Sequence, residues 1–206
     1  MNMTKTLANP IRSVREQIAE QLRNEILADL FSADEPMREA ALAERFGTSR
    51  GPIRDALLQL SQEGALTYKP NSGVRVSAPV ADGERTLLMT LRKRIEFDAL
   101  KGFIRNFNEA DELYLRGTLD VMRSACVKKD LPGIVGSDIA LHRRIVRCGG
   151  SEQMEAVWQS IAVRIRMDYS RLKKHMNIFR EHERIVDAIV SGDLKQARKA
   201  LELNLI

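Results

Sequence analysis

Residues 47–66 read GTSRGPIRDALLQLSQEGAL, and residues 71–76 read NSGVRV. The first run is one helix with its start and stop signals in place. Gly47 stops the helix before it, expected over Glu39–Phe46 with Leu42 inward. Ser49 is suited to cap the new helix and Pro52 to sit in its first turn. Ile53, Ala56, Leu57 and Leu60 form its buried stripe, and Gly64 ends it. Arg50 and Arg54 lie one turn apart, about a quarter turn from that stripe, so both face outward. Two helices joined by Gly47-Thr48-Ser49 make a helix-turn-helix unit. The period then changes. Residues 65–69 and 74–77 read as two strands joined by Pro70-Asn71-Ser72-Gly73, a hairpin placed as a wing.

Upstream, Val14, Ile18, Leu22 and Ile26 recur every four residues, which predicts a helix over 11–30. Downstream, Ala78-Pro79 to Asp82-Gly83 reads as a linker. Everything after it reads as helix, over 84–107, 110–129, 132–148, 152–174, 178–191 and 193–205. The expected fold is mostly α, a winged helix-turn-helix followed by an antiparallel all-helical bundle of about six helices. The expected units are 1–78, a linker at 79–83, and 84–206.

Composition agrees with this class. The 206 residues are 44% hydrophobic and 30% charged, which excludes general disorder. Only 5% are aromatic, which argues against an all-β sandwich or barrel. No apolar run reaches the roughly 18 residues of a membrane span, and the N-terminus lacks a signal-like apolar segment. Cys126 and Cys148 do not make a disulfide framework. A cytoplasmic protein without membrane contact is expected. The net charge of +5 is a poor guide to partners, because residues 1–78 hold ten basic and ten acidic side chains. Within 48–78, however, Arg50, Arg54, Lys69 and Arg75 outnumber Asp55 and Glu63, a local surplus suited to phosphate. The first-turn N–H groups of the 50–62 helix favour phosphate as well. An arginine at that position can grip guanine through two parallel hydrogen bonds.

In the second unit three residues conflict with their positions. Ile134, Leu141, Ile145 and Cys148 share a helical face, with Asp138 inside that arc and His142 at its edge. His182 sits amid Ile178, Ile185 and Ile189. A buried carboxylate needs a partner, and a metal ion supplies one. An ion pair for Asp138 and His142, and a hydrogen-bonded core histidine for His182, satisfy the spacing equally. Val157, Trp158, Ile161 and Ile165 read as helix core or dimer contact.

The run from Gly47 to Gly64 resembles the winged helix of the GntR family of bacterial transcription regulators. It matches at Gly47, Ser49, Arg50, Pro52, Arg54, Ala56, Leu57, Leu60 and Gly64. The cues LRKRIE at 91–96, DIALH at 138–142 and EHERIVDAIVSGDLKQARKAL at 181–201 resemble the FCD effector domain of the FadR subfamily. The resemblance implies a homodimeric regulator, a repressor, on a near-palindromic double-stranded operator. Thr48, Ser49, Arg50 and Arg54 would contact DNA, with Gly73 at the minor groove. A divalent metal (Zn, Ni or Mn) would be held by Asp138, His142 and His182. Asn204 stands where a third histidine is usual, and offers only a neutral oxygen. Arg92 would bind the carboxylate of a small organic-acid effector. Ala40 stands where some members carry a DNA-contacting arginine. Two alternatives are a metal-independent regulator that senses acyl-CoA or another ligand, and a metalloenzyme built on the bundle. The enzyme reading needs a general base, and the sequence offers no spare carboxylate clearly on the same buried faces.

Overall fold

A computed structural model of the chain describes residues 13–165 and 175–205. The first helix, α1 (Val14–Leu27), opens on a capping box: Ser13 Oγ accepts from the Glu16 N–H at 3.2 Å, and Glu16 Oε2 accepts from the Ser13 N–H at 2.9 Å. It buries Ile18, Leu22 and Ile26 against α3 (Arg50–Gln62), whose inner face is Ile53, Ala56, Leu57 and Leu60. Between them, α2 (Glu39–Phe46) stops at Gly47, whose left-handed φ of 61° suits glycine. Arg23 donates to both carboxylate oxygens of Glu63 at 2.5 and 2.7 Å, tying α1 to the end of α3. The strands β1 (Leu66–Lys69) and β2 (Gly73–Val76) pair antiparallel, with Leu66 opposite Val76 and Lys69 opposite Gly73. Residues 34–37 line the other edge of β2, where the Met37 N–H donates to the Val74 carbonyl at 2.9 Å.

Among the described residues six helices follow: α4 (Asp82–Asn106), α5 (Glu109–Lys128), α6 (Leu131–Gly149), α7 (Glu152–Ile165), α8 (His175–Val190) and α9 (Leu194–Asn204). The expected helix over 152–174 is described as far as Ile165; its remainder lies outside the described residues. The segment expected as a linker is partly helical. Ala81 takes an extended N-cap conformation, and Asp82 and Glu84 place negative charge in the first turn of α4. Short connections fold α6 back on α5, α7 on α6 and α9 on α8. Alternate helices must then run the same way, and α4 and α6 do. Gly102 faces the Gly149 carbonyl, Glu96 reaches His142 and Arg92 lies beside Asp138. A Cβ on Gly149 would collide with the Ala99 carbonyl and the Phe103 amide, so glycine sets how closely these helices cross.

The two units interlock. The core of the winged helix includes Val163 of α7, while Leu27 and Ala28 belong to the bundle core with Val135, Ile139, Met122 and Trp158. Both cysteines are free.

Candidate functional site

The outward face of the N-terminal unit gathers Ser49, Arg50 and Arg54, all exposed, with Thr48 half-buried in the turn. Ser49 occupies the N-cap of α3 in extended backbone, but its hydroxyl makes no cap hydrogen bond, contrary to its expected role. The first-turn N–H groups therefore lack a side-chain cap, which leaves them suited to an anion. Arg54 is held by a carboxylate from the preceding helix. Its Nε donates to Glu39 Oε1 at 3.1 Å and its Nη2 to Oε2 at 3.0 Å. Gly73 begins β2 at the end of the hairpin turn, exposed and with φ of 73°.

The second cluster lies at the bundle centre. Asp138 and His142 project from α6, and His182 from α8, all essentially without solvent exposure. One donor atom from each lies within 4.8 Å of the others. The two rings are fixed from behind by different acceptors. His142 Nδ1 meets Glu96 Oε2 at 2.7 Å, and His182 Nδ1 meets the Ile178 carbonyl at 2.7 Å. Both therefore turn Nε2 toward Asp138, His182 at 2.8 Å and His142 at 3.8 Å from Oδ1. Among the described residues His142 Nε2 and Asp138 Oδ2 are buried without a hydrogen-bond partner, while His182 Nε2 has its contact with Asp138 Oδ1. Burial opposes ionisation of Asp138, yet His142, His182 and Arg92 outweigh it and hold its carboxyl well below the usual range. Two imidazoles and one carboxylate, when each is deprotonated at the inward atom, form a donor set that fits a divalent ion with open positions. Arg92 Nη2 lies 4.0 Å from Asp138 Oδ2. On α9, Asn204 is half-buried, with its amide nitrogen 3.5 Å from Glu181 Oε2, beside His182.

The sequence reading missed Glu96. It is fully buried on α4 and accepts from Arg92 Nε and Trp158 Nε1, each at 2.7 Å, as well as meeting His142. A carboxylate does lie behind the cluster, contrary to expectation. Burial penalises its charge, but His142 and Arg92 outweigh this and hold its carboxyl at about 2. The available signal was phase. Arg92, Glu96, Ala99 and Phe103 lie on one face of α4, and all four are buried. Trp158, read as core, is fully buried as expected and also carries this hydrogen bond; Val157 beside it is 55% exposed.

A winged helix-turn-helix joined to a helical unit with a buried polar centre defines a class: transcription regulators that carry DNA-reading and sensing parts in one chain. The comparisons with known proteins agree. Residues 14–76 match the gntR family of bacterial regulatory proteins and residues 87–205 match the FCD domain. The chain belongs to the GntR family, in its FCD-domain form. An HTH-type transcriptional regulator in an unstable DNA locus of Streptomyces ambofaciens is 30% identical, over 94% of this chain and 83% of that protein. A probable D-xylose utilization operon transcriptional repressor of Paenarthrobacter nicotinovorans is 24% identical, over 92% of this chain and 86% of that one. Among solved structures, E. coli McbR/YncC has the same fold, with a TM-score of 0.77 at 19% identity over 95% of this chain and 94% of that one. The protein is thus a transcription regulator and not an enzyme. Among the described residues no helix is long and apolar enough to cross a membrane.

Proposed function

We propose that the protein is a ligand-responsive repressor of the FadR subfamily. It acts as a homodimer that sets two winged helices on the half-sites of a near-palindromic operator. Residues 1–78 carry DNA binding, 79–83 connect, and 84–206 sense the effector and dimerise. Thr48, Ser49 and the first-turn N–H groups of α3 hold phosphate, Arg50 and Arg54 read the major groove, and Gly73 lets the wing backbone approach the minor groove. In the bundle Asp138, His142 and His182 hold a divalent ion (Zn, Ni or Mn), with Asn204 as a neutral oxygen ligand from α9. The bound ion supplies positive charge for the carboxylate of a small organic acid. Arg92 adds a guanidinium on the same side, held in place by Glu96 and by the Trp158 ring 5.8 Å away.

One observation carries this reading: one donor atom from each of three buried side chains lies within 4.8 Å of the others, and among the described residues His142 Nε2 and Asp138 Oδ2 have no hydrogen-bond partner. Buried polar groups are rarely left this way without a ligand. Elemental mass spectrometry of tag-free protein tests it. Near-stoichiometric metal in the parent, lost in His182→Ala, is expected. Protein that stays metal-free after addition of Zn, Ni or Mn refutes the ligand set and turns the search to effectors held by arginine and apolar contacts.

A further inference from the structure

We infer that Glu39 is a specificity-determining residue: it steers the Arg54 guanidinium away from the phosphate backbone and end-on toward a guanine edge. This rests on the reading of α3 as the recognition helix. A guanidinium has five N–H donors in a rigid planar fork. Glu39 occupies one side of that fork, taking Nε at 3.1 Å and one hydrogen of Nη2 at 3.0 Å. The far end, Nη1 with the second hydrogen of Nη2, stays available as a parallel donor pair. That pair matches the spacing of guanine O6 and N7 in the major groove.

Exposure indicates what this contact is for. The side chains are 68% and 34% exposed, and ion pairs in such surroundings contribute little to stability. Their consequence is orientation. Glu39 stands in the first turn of α2, where the helix terminus favours a carboxylate. Arg54 beside it keeps that carboxyl below its ordinary range, so the pair remains charged at working pH. A negative charge fixed beside Arg54 also opposes the alternative pose. An arginine gripping phosphate would bring the Glu39 carboxylate toward the same negative backbone. The pair therefore favours the base edge by attraction there and by repulsion elsewhere.

The test begins with selection of binding sites from duplexes carrying a randomised 24-bp core, using the full-length parent protein. Fluorescence anisotropy then follows the selected duplex, all its single-base substitutions and an unrelated duplex, for the parent, Arg54→Ala and Glu39→Gln. Arg54→Ala is expected to lose preference at one G·C pair per half-site. Glu39→Gln is expected to lose about tenfold discrimination at that same pair, in line with the worth of one bidentate contact. It should also bind the unrelated duplex more tightly than the parent. If Glu39→Gln keeps the parent's preference at that pair, or weakens every duplex by the same factor, the steering role is overturned while the recognition helix stands. A library that yields no enriched sequence, or an Arg54→Ala variant that binds like the parent, overturns the recognition-helix reading itself.

Discussion

His142 and His182 face one another across Asp138, but each is oriented differently. The main-chain carbonyl of Ile178 orients His182 within its own helix, while Glu96 orients His142 from α4. The second arrangement is open to mutation. Glu96→Gln keeps the size of the side chain and removes the charge that fixes the His142 ring and receives Arg92 and Trp158. Metal affinity is expected to fall roughly 10–100-fold, the usual effect of losing such a supporting contact; competition against a chromophoric chelator measures it. The metal-free protein should also show a pH dependence set by His182. Burial lowers its affinity for a proton, but the Asp138 carboxylate outweighs burial, and the folded value is raised above 6.5. The resulting stability is complete below the ordinary histidine range and disappears as pH rises through the raised value. In EDTA the melting temperature is therefore expected to fall as pH rises through that raised value. With Zn present the trend should reverse, because the metal needs a neutral imidazole. Asp138, His142 and His182 were legible in the sequence because polar residues interrupt apolar stripes. Glu96 was missed, because LRKRIE places charge all round the helix and only its phase with Ala99 and Phe103 shows which charges point inward.

The elements were legible wherever a residue punctuates the chain. Pro132 stands in the first turn of α6, Gly149-Gly150 closes it, and Gly192 separates α8 from α9. Boundaries slipped where the signal was a charge, as at Asp82, which opens α4 inside the expected linker. The crossing of α4 and α6 was not legible, because it depends on two glycines, Gly102 and Gly149, from separate helices meeting in space. This crossing holds Glu96 against His142, so it belongs to the site as well as to the fold. Gly149→Ala pushes a methyl group into the α4 backbone, where no flexible side chain can give way. A loss of about 1–3 kcal/mol is expected, the usual range for overpacking, read from denaturant unfolding. Metal affinity should fall with it, because separating the helices pulls Glu96 from His142. Gly117→Ala, inside α5 where an added Cβ meets open space, should instead gain about 0.5–1 kcal/mol from helix propensity and leave metal affinity unchanged.

At the scale of the molecule, sensing can reach DNA only if the effector binds two arrangements of the units unequally. The physical link must therefore cross between them, and contacts from α1 and from α7 do. Leu27 and Ala28 at the end of α1 pack in the core shared with α6, and Asn24 lies against Gly136, two residues before Asp138 on that helix. On α7, Val163 enters the winged-helix core, and the Arg164 guanidinium reaches the carbonyls of Gly64 at 3.5 Å and Ala78 at 3.3 Å. None of this was legible, because Val163 reads as one more apolar position on α7 and only the fold shows which core it enters. Helix α6 carries two of the proposed ligand residues and borders α1, so a shift of α6 would move the base of the DNA-reading unit. Val163 then sets whether the other end follows. Coupling between such sites is typically about 1–3 kcal/mol, a ratio of roughly 5–150 in affinity. Val163→Ala removes the side chain that keys α7 into the winged helix and leaves the Asp-His centre intact. Metal affinity should stay at the parent value, while the ratio of operator Kd in EDTA to that in Zn should move toward one. If that ratio matches the parent's, the coupling runs through α1 and α6 alone, and Asn24→Ala is then the variant in which it should fail.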